Sequence, residues 1–140
     1  YNKVLIVEDD FKIPENFQKK VQKIKPFIPK DSDVFYLGFS PVNYKYAKFT
    51  SINKYVEKSH GISEPRIIKR YKSEGGIYGT FGFIINRKAM QAYIKAATPM
   101  QFPADVILGR LATIDKKIKA YNLKKEHQLI SYFNYGTTIH

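Results

Sequence analysis

Glu8-Asp9-Asp10 is the cluster in this sequence best suited to chemistry. Three adjacent carboxylates repel one another, and their charge needs compensation. A hard divalent cation, Mg2+ or Mn2+, supplies it through oxygen ligands, and usually keeps waters and binds substrate phosphates. Holding a diphosphate leaving group is the chemistry such a cluster suits. Along an extended chain, residues two apart point the same way, about 6.6 Å apart. Glu8 and Asp10 would then share one site while Asp9 turns elsewhere. The competing reading is a solvated turn whose acids cap the next helix.

The elements around the triplet must deliver it to an edge where a ligand can reach it. Lys3-Val4-Leu5-Ile6-Val7 is a short, continuous, β-branched run. It reads as a strand buried on both faces at the centre of an α/β sheet. Pro14 is placed to open a helix, with Glu15 beside its positive end. Phe17, Val21 and Ile24 recur at helical spacing, and Pro26 and Pro29 end that helix. A second strand runs from Asp33 to Gly38 and ends in a glycine turn. The residues from Val42 to Lys48 fit a hairpin or a loop, Ser51 to Lys58 a short helix capped by Ser51, and Arg66 to Tyr71 a strand.

The pattern sharpens after Gly75-Gly76. Gly79 to Ile85 reads as a loop feeding a strand. Asn86 caps a helix running to about Ala97, with Met90, Tyr93, Ile94 and Ala97 on one face, and Thr98-Pro99 stops it. A third helix starts near Ala104-Asp105 and carries Ile107, Leu108 and Leu111. One or two strands follow between Lys119 and Phe133. Strands alternating with helices predict an α/β layer fold over residues 1–140, with ligands bound at the carboxyl ends of the strands.

Composition narrows the function classes. With 140 residues, 44% apolar and 15% aromatic, the chain suits one globular domain with its own core. No apolar run is long enough to span a membrane and no secretory leader is visible, which favours a cytoplasmic setting. Cysteine is absent, so disulfides and thiolate metal sites are excluded. The formal charge of +12 comes almost wholly from lysine. It would attract nucleic acid, anionic lipid or phosphorylated sugars, or it is simply a lysine-rich solvated surface. Scattered lysines and few arginines favour the second reading. The charge and the interleaved aromatics and lysines, as at Tyr44-Lys45-Tyr46-Ala47-Lys48-Phe49, would suit a basic nucleic-acid-binding module, and no recognised nucleic-acid motif accompanies them.

Two families begin with such a strand. Val4 to Asp10 resembles the opening of a response-regulator receiver domain, but that fold needs a phosphate-accepting Asp at the end of a later strand. Here Asp33 opens its strand, and Leu37-Gly38-Phe39-Ser40 offers no carboxylate. The chain resembles glycosyltransferase family 25 more widely. Val4 to Asp10 matches the family's apolar strand ending in Glu-Asp-Asp, and Asp33 to Gly38 its Asp-led strand. Gly-Thr-Phe-Gly-Phe-Ile-Ile-Asn-Arg-Lys-Ala from Gly79 to Ala89 is similar to the family's Gly-Thr-x-Gly-Tyr-Ile-Ile-Ser-Arg-Lys-Ala. Pro103-Ala104-Asp105 matches a Pro-x-Asp near a helix start, and Leu129-Ile130-Ser131 with Thr137-Thr138-Ile139 resembles the late strand and tail.

The resemblance implies a GT-A-like mixed sheet flanked by helices. Family members carry roughly a half-domain before the acidic strand that helps bind the nucleotide base. These residues are therefore expected to form the metal- and acceptor-side portion, without that nucleotide-binding half. The implied reaction moves a hexose, with galactose suggested, from a nucleotide diphosphate sugar such as a UDP-sugar to a glycan or hydroxylysine hydroxyl. The implied metal is Mn2+ or Mg2+, held first by Asp10 and second by Glu8, with Asp9 assisting or meeting the ribose. Asp105 resembles the family's second acidic position and suits a general base, its plain alternative being an N-cap. Gly79, Thr80 and Gly82 would bring backbone close to sugar hydroxyls, or simply lead into a strand. Tyr78 would stack on a sugar face. His127 reads as ordinary surface, and His140 is a weak candidate for completing the metal shell. An inactive transferase fragment is the remaining alternative.

Overall fold

The computed structural model describes residues 2–9, 11–40, 47–62, 79 and 81–132. Its strands are β1 (Lys3–Val7), β2 (Phe11–Lys12), β3 (Val34–Gly38), β4 (Ala47–Ser51), β5 (Val56–Ile62), β6 (Gly82–Asn86), β7 (Ala120–Leu123) and β8 (Ser131–Tyr132). Its helices are α1 (Phe17–Ile24), α2 (Arg87–Ala96) and α3 (Ala104–Thr113). Six strands form one mixed sheet in the order β1-β6-β3-β7-β5-β4, and β2 and β8 pair separately. Only β3 and β7 are parallel neighbours in the large sheet; its other adjacent pairs are antiparallel. The expected α/β class with helices on both faces holds. The order and the antiparallel partner of β1 differ from the doubly wound 2-1-3-4-5 sheet of receiver-type folds.

Alternation along β3 builds both halves of the core. Val34 and Tyr36, with Phe83 and Ile85 from β6, pack against Ala89 of α2 and Ile107, Leu108 and Leu111 of α3. Phe35 and Leu37 point the other way, joining Ile24 of α1, Tyr121, Leu123 and Ile130. All five residues of β3 are buried, so this strand holds the central position that its sequence neighbour was expected to take.

The first strand is a correction. β1 has the predicted bounds but lies at the sheet edge, bonded to β6 alone among the described strands. Val4, Leu5 and Ile6 are each about 40% exposed (38%, 43% and 41%). A continuous apolar run reports capacity for two-sided burial; it does not report which neighbours are there to cover it.

Other expectations shift for local reasons. α1 starts at Phe17 rather than Pro14, because Asn16 takes a left-handed conformation (φ 61°) and Phe17 N–H donates to the Pro14 carbonyl in a turn. Ser51 to Lys58 is no helix. The Asn53 side chain accepts from the backbone N–H groups of Tyr55 and Val56, closing a turn between β4 and β5. Ile94 points to solvent at 63% exposure, while Met90, Tyr93 and Ala97 pack on the core. The expected strand at 66–71 and most of the 42–48 stretch lie outside the described residues.

One polar knot fixes the end of the sheet opposite the acidic triplet. Asn86 caps α2, its side chain accepting from Ala89 N–H at 2.9 Å, and donates to Asp33 at 2.9 Å. Lys88 Nζ and the Lys119 backbone N–H both donate to the other Asp33 oxygen at 2.8 Å. Burial alone would raise the Asp33 pKa. The hydrogen bonds from Lys88, the Lys119 amide and Asn86 outweigh it and hold the carboxyl below the usual range. Asp33 thereby joins the starts of β3, α2 and β7.

Candidate functional site

Glu8 and Asp9 follow the carboxyl end of β1, and both are exposed. Because β1 and β6 are antiparallel, this end lies beside the start of β6, with Val7 opposite Gly82. The acidic segment is fastened there twice. Glu8 N–H donates to the Phe81 carbonyl at 3.1 Å. Just past the triplet, the Phe11 ring stacks on Phe81 with centroids 3.9 Å apart. Asp10 lies outside the described residues.

The same short segment reaches Asp105. Gly79 N–H donates to Asp105 Oδ2 at 2.9 Å, and Val106 N–H donates to Oδ1 at 2.8 Å. Asp105 is half-buried in the first turn of α3, where the positive helix end favours a carboxylate. It is not the N-cap, a position held by Pro103. Gly79 and Phe81 thus touch both acidic features: Phe81 holds the start of the triplet and Gly79 holds Asp105.

The glycines have distinct local reasons. Gly79 adopts φ 64°, and a Cβ there would come within 2.6 Å of the Phe81 ring and 3.2 Å of Ser40 Cβ. Gly38 and Gly82 are paired neighbours, and Ile130 fills the space beside both. Leu129 and Ile130 N–H groups both donate to the Leu37 carbonyl, so this segment crosses the carboxyl end of β3 at close range. The missing side chain at Gly82 makes room for Ile130. Tyr78 and Thr80 lie outside the described residues.

Three residues the sequence reading passed over border this region. Ser40, just beyond β3, meets Gly79. Tyr36, fully buried one strand from β6, has a hydroxyl with no hydrogen-bond partner among the described residues. Burial chiefly, and the nearby Asp105 charge, push its phenol above the ordinary range. Ile130 had no pairing signal that would place it over two glycines.

The donor chemistry fits a hard cation. Carboxylate oxygens at an open strand end suit Mg2+ or Mn2+, and Mg2+-type sites often use only one or two protein carboxylates beside water and phosphate. Among the described residues no group of three or more Asp, Glu, His or Cys gathers, so Glu8 with Asp9 is the described part of that set. His127 is half-buried, its ring edge-on to Tyr55 at 4.8 Å, rather than free surface. His140 lies outside the described residues.

A separate cavity of about 530 Å³ opens between α1 and the sheet, lined by Lys3, Val21, Ile28, Asp33, Phe35 and Ile84. It sits at the start of β3, away from the acidic end, and holds no candidate chemistry. Of the aromatic-lysine stretch, Phe49 turns inward and stacks on Phe39 at 6.3 Å, which withdraws it from base stacking; residues 44–46 lie outside the described residues. No described helix is long and apolar enough to cross a membrane.

Comparison with known proteins bears on the same residues. No curated protein matches the chain. The family model described as glycosyltransferase family 25 (LPS biosynthesis protein) matches residues 1–108. That span takes in the acidic strand end, the Gly79 segment and the first turn of α3. The chain belongs to glycosyltransferase family 25.

Proposed function

We propose that this chain transfers a hexose, galactose by preference, from a UDP-sugar to a hydroxyl of a glycan or of hydroxylysine, in a metal-dependent reaction. What carries the reading is the shared anchoring of two acidic features on one segment. Phe81 holds the triplet through its carbonyl and ring, and Gly79 holds Asp105.

In this reading Glu8 and Asp10 hold Mn2+ or Mg2+, with Asp9 assisting or meeting the ribose. When bound, the ion offsets negative charge on the departing nucleoside diphosphate. Asp105 accepts the proton of the acceptor hydroxyl. The freed oxygen bonds to the anomeric carbon, and the bond from that carbon to the diphosphate oxygen breaks with its electron pair on the diphosphate. Tyr78 stacks on a sugar face, and Gly79, Thr80 and Gly82 bring backbone close to sugar hydroxyls.

The test is release of UDP from UDP-galactose by the full-length protein with Mn2+. Release that stops on chelation and returns with added Mn2+ is the expected result. Release indifferent to chelation removes the metal from the account.

A further inference from the structure

The sheet opens along one seam. β5 pairs with β7 at Val56–Leu123 and Glu57–Asn122, and past Glu57 the two are unpaired among the described residues, although β7 continues back to Ala120. A cavity of about 260 Å³ lies beside this opening. β5 contributes Lys58, Ser59 and His60 to its lining; the end of α3 and the residues after it contribute Thr113, Lys116 and Lys119. None of its described lining residues is acidic. Asp105 stands at the other end of α3, eight residues from Thr113, or about 12 Å along the helix axis. The cavity is therefore separate from the acidic end of the sheet.

The polar groups around it are donors. Lys119 is balanced by Asp31 at 2.9 Å, but Lys58 and Lys116 have no carboxylate partner among the described residues. Gly61, in a left-handed conformation (φ 86°), donates its N–H to Ser59 Oγ at 3.1 Å, so that hydroxyl accepts within its own strand and keeps its proton to donate. Thr113 spends its proton on the Gly109 carbonyl at 2.7 Å. Lys116 itself is left-handed (φ 51°) just beyond α3, where a glycine would sit without cost. The lysine brings a cation to the cavity instead. A plain alternative is that it balances the negative end of α3. That end is already well served, since the Leu111 carbonyl takes N–H groups from Lys117 and Ile118, and the Arg110 carbonyl those of Ile114 and Asp115.

We propose that this cavity is a second binding site, for a phosphate monoester, held by the ammonium groups of Lys58 and Lys116 and the hydroxyl of Ser59. A phosphate monoester carries about −1.5 to −2 charges at pH 7 and three acceptor oxygens, which two unbalanced lysines and one free O–H donor match in charge and in kind. The enclosed volume suits one phosphate with a small body attached, whereas a nucleic-acid backbone would need a run of cations along a groove. The group comes either from a phosphorylated sugar or from free phosphate. The inference stands independently of the transferase reading.

Amide chemical shifts of the full-length protein, followed at constant ionic strength during titration with inorganic phosphate, glucose 6-phosphate and glucose, test it. The amides of Ser59, His60, Thr113 and Lys116 are expected to shift and saturate with both phosphates and to ignore glucose. Severalfold tighter binding of glucose 6-phosphate identifies a phosphorylated sugar as the source; equal affinities identify free phosphate. Lys116→Gly should weaken both phosphates roughly tenfold, the scale of one charge-assisted bond, while the melting temperature holds or rises because glycine suits that backbone. Lys58→Gln should weaken them to the same degree. Shifts that never saturate, or that chloride reproduces, overturn the inference. So does a Lys116→Gly protein that melts lower yet binds phosphate as before, which would make the lysine a helix-end cation. Saturation of the same amides by a single-stranded oligonucleotide and by neither phosphate would overturn it in favour of nucleic acid.

Discussion

Asp105→Asn is expected to lower hexose turnover by about 10²- to 10⁴-fold, the range typical of a lost general base, with little change in thermal unfolding. The choice of Asn matters. Its one side-chain oxygen can still accept from Gly79 N–H at the expense of the local Val106 bond, so the tie between α3 and the β6 approach survives while the basic oxygen is lost. Asp105→Ala removes both. It should match the kinetic loss and add about 1–2 kcal/mol of destabilisation for the unpaired Gly79 amide. Steady-state rates with UDP-galactose, read beside melting curves of both variants, separate the two roles. Intact turnover in the Asn variant would leave Asp105 as a structural tether alone.

The second large effect concerns stability. Asp33 is 6% exposed and accepts from Lys88, Asn86 and the Lys119 amide. Asp33→Ala leaves the Asn86 amide and the Lys119 backbone N–H without their acceptor, while Lys88, 62% exposed, returns to water. A buried donor left unsatisfied costs about 1–3 kcal/mol, and denaturant titration should show a loss of that order. The pH dependence has a definite sign. The folded-state pKa is depressed, so the stabilisation is present above the unfolded value and is lost as pH falls through the lower folded one. Stability of the wild type should therefore decline below about pH 4, the ordinary aspartate value, and Asp33→Asn should flatten that decline. By contrast, the neighbouring Lys119–Asp31 pair is half-exposed on both sides (58% and 48%), and salt screening leaves it little weight.

Where the sequence carried a local signal, it was legible. Asn86 announced α2 because capping is a short-range bond, here 2.9 Å long. Ile107, Leu108 and Leu111 announced α3 because their spacing is the helix period itself. Glu8 and Asp9 were legible as the end of a strand because an apolar run stops at Val7.

What depended on distant neighbours was not. β1 reads as an interior strand by composition, yet only pairing decides its place, and β6 is its sole described partner. The β4–β5 turn was hidden because Asn53 looks like any polar residue until its side chain accepts two backbone N–H groups. Gly38 and Gly82 looked like turn or loop glycines, whereas their lack of side chains makes room for Ile130. The bond between Gly79 and Asp105 joins residues far apart in the chain, and only the fold brings them together. Family resemblance named Asp105 without indicating that a loop amide binds it.

The account turns on divalent-cation capture by the acids after β1, in the presence of a nucleoside diphosphate. Isothermal titration of Mn2+ into the full-length protein with saturating UDP measures that directly. Stoichiometric uptake that disappears in Asp10→Asn and weakens in Glu8→Gln is the predicted result. Heat no greater than dilution in the wild type, with or without UDP, would contradict it.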